Sequence, residues 1–267
     1  DNFGAWHPEL QQFAQKAFSE RWVEAEERNA KAGGAWCAGL PLSQQSRVFM
    51  TFGGTFSGAM TLAHELGHAF HNHVTRSLPR SQVHIPMTLA ETASVFAENL
   101  VRDAALAAAT DPADRLAMLD ARLSAGMVFL LNIPARFQFE CELHNLRKTG
   151  EFDPDELDER MVHCLRSAYG DHLGSWDETY WCSKAHFHMA DRAFYNFPYT
   201  VGFLFSSGLY ARALEEGTSF APQYDQCLTL TGCYSCEEVA ERALGVDLTR
   251  PEFWRSALSV IEGDVAE

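Results

Sequence analysis

The sequence predicts a mainly α fold, helical along most of its length with a small edge sheet next to one central helix. Three observations carry this. Apolar residues recur three and four positions apart through several long stretches. Two Asp-Pro pairs, Asp111-Pro112 and Asp153-Pro154, combine a helix cap with proline at the first turn. One short run, 47–52, has the β-branched and aromatic content of a strand and is stopped by Gly53-Gly54.

Taken in order, residues 9–32 read as a first helix, with Phe13, Ala14, Ala17, Phe18, Trp22, Val23 and Ala25 on its apolar side and Gly33-Gly34 at its end. The strand at 47–52 follows and reads as an edge strand. A central helix then covers 57–73, and Pro79 and Pro86 bracket the crossing to a second helix over about 88–109. Asp111-Pro112 opens a long apolar helical stretch to 148, which Pro134 should kink or divide. Asp153-Pro154 opens a helix to Tyr169, and 170–184 is irregular. Helices over about 198–216, 235–244 and 251–262 complete the chain. There are no repeats and no internal linker, so residues 1–267 read as a single domain.

The formal net charge of -15 argues against nucleic acid as a partner, because a phosphate backbone repels an acidic surface. Hydrophobic residues at 46% and charged residues at 21% are those of a soluble globular protein. No apolar run approaches the length of a membrane-spanning helix, and no membrane partner is expected. The opening Asp1-Asn2-Phe3 lacks an initiator Met and a signal pattern, which suggests a processed product or a fragment. Seven cysteines without a dense framework favour reduced thiols and a cytoplasmic location. Cys233-x-x-Cys236 has no second pair to complete a zinc site, and Cys141, Cys164 and Cys182 read as packing residues.

The chemistry is placed at His64-Glu65-Leu66-Gly67-His68, a His-Glu-x-x-His pattern inside the central helix. Residues four apart share one helical face, so His64 and His68 can turn their imidazoles to one metal ion, while Glu65 lies beside the metal but off the ligand line, where it can hold a water. Gly67 costs helix stability relative to Ala, and close approach of another backbone is the usual reason for such a glycine. A zinc site needs a third protein ligand. The pattern with Gly three residues after the second histidine and His three further on is not met, since those positions hold His71 and Val74. The candidate is Glu91, at the start of the second helix, with Ala90, Ala93 and Ala97 giving that helix a smooth side for close approach. Thr88-x-x-Glu91 also reads as a capping box, which would turn the carboxylate to backbone N–H groups instead. His71 shares the ligand face but would close the position needed by water, so it reads as structural or as a support to the ligands. Glu98, two turns beyond Glu91, could accept the free N–H of a ligand histidine or be a solvated glutamate.

With Glu91-Thr92-Ala93-Ser94, Phe96-Ala97-Glu98-Asn99, Gly33-Gly34-Ala35-Trp36-Cys37, His186-Phe187 and Phe194-Tyr195-Asn196-Phe197-Pro198-Tyr199-Thr200 in the same order, the chain closely resembles the thimet oligopeptidase and oligoendopeptidase F family of zinc metallopeptidases, and the oligoendopeptidase F branch in particular. The resemblance implies a zincin-like (gluzincin) catalytic domain, one Zn2+ ion held by His64, His68 and Glu91, and Glu65 as general base. It implies that the strand beside the metal helix binds extended peptide through its backbone. It also implies that His186 with Tyr195 or Tyr199 steadies the negative oxygen formed at the scissile carbonyl, although either tyrosine could instead be a packing residue. His188 stands where the branch usually has Tyr. Members of the family are much longer and carry an N-terminal helical wall along a deep channel. This chain is therefore expected to be a catalytic C-terminal part that associates with a missing N-terminal part or another chain. The expected activity is zinc-dependent hydrolysis of internal bonds in short unfolded peptides. A non-catalytic zinc-containing peptide-binding fragment is the alternative.

Overall fold

The computed structural model describes residues 2–189, 191 and 193–266. Its elements in chain order are α1 (Pro8–Ser19), β1 (Val23–Glu24), β2 (Trp36–Leu40), β3 (Gln45–Phe49), α2 (Phe56–Thr75), α3 (Met87–Ala90), α4 (Thr92–Ala108), α5 (Pro112–Met127), α6 (Ile133–Arg147), α7 (Pro154–Tyr169), α8 (Phe197–Glu216), α9 (Ala221–Leu230), α10 (Cys236–Leu244) and α11 (Glu252–Ala266). The chain divides into two compact units. The first runs through Met118 and resumes at Gly202, and the second is Leu119–Val201.

In the first unit, α1 begins with Pro8 at its first position and buries Leu10, Phe13, Ala14 and Ala17, a single face at helical spacing. It stops well short of residue 32. Arg21 adopts a left-handed φ of 58°, which no helix tolerates, and Trp22 N–H bonds back to the Ala17 carbonyl at 2.8 Å. The apolar residues beyond this turn belong to a strand: Val23 pairs with Val48 and Glu24 with Phe49. The sheet order is β1-β3-β2, with β1 parallel and β2 antiparallel to β3. The run expected as an edge strand is thus the middle strand, and the exposed five-residue edge is β2, whose Trp36 stacks on Phe49 at 4.0 Å. β1 is only two residues long, and β2, Trp-Cys-Ala-Gly-Leu, lacks the β-branched residues that mark a strand.

The core of this unit gathers Phe13, Trp22, Val48, Leu66, Phe70, Leu89, Phe96, Leu209 and Tyr224 from α1, the turn after it, β3, α2, α3, α4, α8 and α9. Helix α2 starts where the Thr55 hydroxyl accepts the Gly58 N–H at 3.0 Å. Gly67 lets α4 lie directly against it: a Cβ there would stand 2.4 Å from the Ala93 carbonyl oxygen and 2.6 Å from Ser94 Cα. Helix α9 was not legible as a separate element, because it follows α8 after one short 3-10 turn, Gly217–Phe220.

His71 is 1% exposed, and its Nε2 lies 2.8 Å from Thr231 Oγ1 and 3.2 Å from the Leu228 carbonyl. It ties α2 to α9 and is a structural residue. Burial pushes its pKa down to about 4, against the Leu228 carbonyl bond that favours the proton. A neutral histidine with a depressed folded-state pKa loses its contribution as pH falls from about 6.5 through about 4. About 3 kcal/mol of stability should disappear over that window. His71→Gln should flatten this part of the pH dependence, read as unfolding free energies at pH 7 and pH 4. An unchanged slope in the variant would remove His71 from the account.

In the second unit, Pro134 does not break the chain into two helices. The residues before it, Val128–Asn132, widen into a π turn, so α5 and α6 run on as one helix of 36 residues, Pro112–Arg147. The wider turn accommodates the missing proline N–H and the ring. By length and composition alone this helix is long and apolar enough to cross a membrane, with a window of mean hydropathy 1.5, only 22% of it buried. This corrects the expectation that no apolar run approaches a membrane-spanning length. Helix α7 carries a capping box at Asp153 and Glu156 and packs Leu157, Met161, Cys164 and Leu165 on Ala135 and Phe139 of α6. Cys164 is buried as expected of a packing residue, whereas Cys182 is exposed.

Candidate metal centre

Helices α2 and α4 of the first unit build the centre. His64 and His68 stand one turn apart on α2, and their Nε2 atoms are 3.1 Å from each other. Glu91 Oε2 lies 3.3 Å from His64 Nε2 and 3.4 Å from His68 Nε2. Glu91 sits between α3 and α4 with φ -87° and ψ 5° and makes no cap bond, and α3 has Pro86 rather than Thr88 at its N-cap, so the capping box does not form. Four zinc ligands at 2.0–2.2 Å would mark a tetrahedron with edges of about 3.3 Å. The three measured separations match three such edges, and two imidazoles with one carboxylate are a donor set suited to zinc. Among the described residues this is the one such trio of candidate ligands.

The neighbours hold each ligand in place. Glu98 Oε1 is 2.6 Å from His64 Nδ1, which leaves Nε2 for the metal, and Arg102 donates to Glu98 Oε2 at 3.1 Å. Ser94 Oγ donates to Glu91 Oε2 at 2.6 Å. Ser94 and Arg102 escaped the sequence reading. Their signals were a serine three residues beyond the ligand and an arginine four beyond Glu98, both within helical reach. Burial opposes a charge on His64, but the hydrogen bonds and charges of Glu91 and Glu98 lift its pKa to about 10. For His68 burial prevails over Glu91 and its pKa falls to about 4. Glu91 is raised by burial, yet the His64 hydrogen bond and the two histidine charges bring it to about 2. The centre therefore presents one ionised carboxylate, a neutral His68 and a protonated His64 whose proton a metal must displace. Glu98→Ala should weaken zinc binding about 10- to 100-fold, the usual cost of losing a histidine's carboxylate support. Competition against a chelating dye measures it, and an unchanged affinity would deny Glu98 that role.

Glu65 is 5% exposed, and its Oε2 has no hydrogen-bond partner. Burial raises its pKa, the His64 charge opposes this, and Glu91 and Glu98 add to the rise. A buried carboxylate with an unused acceptor and a raised pKa is equipped to take a proton.

The other three expected residues form a group in the second unit. The His186 and Tyr195 rings stack with centroids 5.9 Å apart, and the Tyr199 hydroxyl donates to the Tyr195 hydroxyl at 2.9 Å. His186 Nε2 is buried without a partner, and burial together with the charges of Arg136 and Lys184 lowers the pKa of this imidazole. His188 is exposed, with its ring 6.0 Å from that of Trp181.

The chain matches peptidase family M3 over residues 3–260. It is 28% identical over 274 residues to chromosomal oligoendopeptidase F of Lactococcus lactis subsp. cremoris, a match covering 95% of this chain and 42% of that protein. It is 27% identical over 258 residues to oligopeptidase PepF of Bacillus subtilis (strain 168), covering 94% and 38%. A solved peptidase-like fold from Chlamydophila abortus is similar with TM-score 0.85 at 22% identity, over 99% of this chain and 44% of that one. Oligoendopeptidase-F from Enterococcus faecium is similar with TM-score 0.63 at 24% identity, over 80% and 40%. These likenesses agree with a helical, gluzincin-like domain carrying a small sheet. The chain spans about two-fifths of the length of the curated relatives it matches. With the family match extending along nearly all of its residues, this chain belongs to peptidase family M3.

Proposed function

We propose that the chain is a zinc-dependent endopeptidase that hydrolyses internal bonds of short, unfolded oligopeptides. The observation that carries this reading is the trio His64, His68 and Glu91 at tetrahedral spacing, with the unpartnered carboxylate of Glu65 next to His64 in sequence. One zinc ion held there would supply a Lewis acid and bring the pKa of a bound water towards about 7. Glu65 takes the proton of the attacking water and delivers it to the leaving nitrogen. His186 with Tyr195 or Tyr199 donates to the negative carbonyl oxygen, and the lowered pKa of His186 leaves it a neutral donor. Strand β2, as the exposed sheet edge, offers backbone groups to an extended peptide without regard to side chains, which suits broad specificity. All seven cysteines are unpaired, and we place the chain in the cytoplasm, where free thiols persist.

The length of the match supports a second reading. A chain spanning about two-fifths of its relatives could keep the metal and bind peptide without cutting, or act only with a further part or another chain. Mass analysis of an end-blocked peptide incubated with the zinc-loaded chain tests the first reading. Internal fragments that vanish with a chelator support it. An intact peptide that nevertheless binds in the micromolar range overturns it in favour of the second.

A further inference from the structure

Beyond the metal centre, the second unit holds two cations, Arg136 and Lys184, with no carboxylate partner among the described residues. Arg136 on α6 donates through Nη2 to the Tyr180 hydroxyl and through Nη1 to Asn196 Oδ1 at 3.4 Å, both neutral partners. Its Nε is buried and has no acceptor. Lys184 Nζ lies 4.3 Å from the centre of the Tyr180 ring, and the Arg136 guanidinium carbon lies 5.3 Å from the same centre. Asn196 is 1% exposed, and its Nδ2 is a second buried donor without an acceptor. Three acids of this unit are engaged with other partners. Glu140 accepts the Phe194 N–H at 2.5 Å, Glu142 pairs with Arg160 at 3.3 Å, and Asp158 accepts from Trp181 Nε1 at 2.7 Å. Tyr180 is held by its own bond to Asn132 Oδ1 at 3.0 Å, so the ring both cations share is fixed.

Buried donors are ordinarily satisfied, and a guanidinium with a free N–H, a free amide bonded to it and a second cation at the same ring are donors suited to a planar anion. We propose that Arg136, Lys184 and Asn196 form a carboxylate-binding subsite that receives the free C-terminal carboxylate of a bound peptide. The assignment of the ligand rests on the reading that this chain acts on peptides.

Calorimetric titration of the full zinc-loaded chain carrying Glu65→Gln tests this with three N-acetylated hexapeptides of one sequence: the free acid, the C-terminal amide, and the amide with glutamate as last residue. The free acid should bind about ten- to hundredfold more tightly than the amide. Arg136→Gln and, separately, the half-buried Lys184→Gln should each erase most of that preference while thermal unfolding stays cooperative. Equal binding of acid and amide, no binding of any of the three, or a preference that survives both substitutions overturns the subsite. Equal tightness of the glutamate amide and the free acid overturns the assignment to a chain terminus. Failure of the peptidase reading shows separately, as absence of cutting of the same peptides by the unaltered chain.

Discussion

Glu65→Gln is expected to lower kcat about 10²- to 10⁴-fold while the chain keeps its full zinc content. The amide has the size of the carboxylate and fills the same 5%-exposed position, so packing around α2 should be conserved. It cannot accept and return a proton, which is the role its unpartnered Oε2 and raised pKa equip Glu65 to perform. Because the ligands His64, His68 and Glu91 are untouched, metal content separates loss of proton transfer from loss of the centre. A fall in kcat with KM held within a few-fold identifies an interaction made in the transition state. Equal rates for both proteins would remove Glu65 from the chemistry.

The second large effect concerns a residue that touches neither metal nor peptide. Gly67→Ala places a methyl 2.4 Å from the Ala93 carbonyl oxygen and 2.8 Å from the Ala93 carbonyl carbon, both backbone atoms that no side-chain rotation can move aside. Alanine gains up to about 1 kcal/mol of helix propensity, but the clash forces α2 and α4 apart at a cost of about 3 kcal/mol. The same displacement draws Glu91 away from His64 and His68, whose separations from it are now 3.3 and 3.4 Å. Thermal unfolding should drop by about 5 to 10 °C, and zinc binding should weaken at least about tenfold. Gly263→Ala in α11, where nothing stands within 4 Å of the added methyl, is the control and should be neutral or slightly stabilising. Full zinc affinity in the Gly67 variant would show that the close approach of the helices does not set the ligand geometry.

The helices and the trio of candidate ligands were legible in the sequence because local signals declare them. His64 and His68 are adjacent on any helix, Asp153 with Glu156 spells a capping box, and Gly67 announced a close backbone without naming it. Glu91 was harder, since the same Thr88-x-x-Glu91 spacing also describes a cap. Its distance of 3.3 Å to His64 and the absence of any cap bond separate the two readings. Non-local pairing was not legible. The turn at Arg21 and the strand it releases depend on hydrogen bonds to residues 25 positions away, so Val23 looked like a continuation of α1. The same holds for β3, which became the middle strand only through β1, two residues long, and β2, which lacks β-branched residues. Pro134 misled for a different reason: the π turn before it absorbs the strain that ordinarily divides a helix. His186, Tyr195 and Tyr199 lie in one group, but their grouping reflects stacking and a hydroxyl bond that no spacing rule encodes.

Metal titration of the stripped chain against cleavage of an internally quenched, end-blocked peptide tests the central claim most directly. The account predicts no cutting by the stripped chain, recovery that saturates at about one zinc per chain, and no recovery when His68 is replaced by alanine. Undiminished cutting by the stripped chain, or full recovery in the His68→Ala protein, would contradict it.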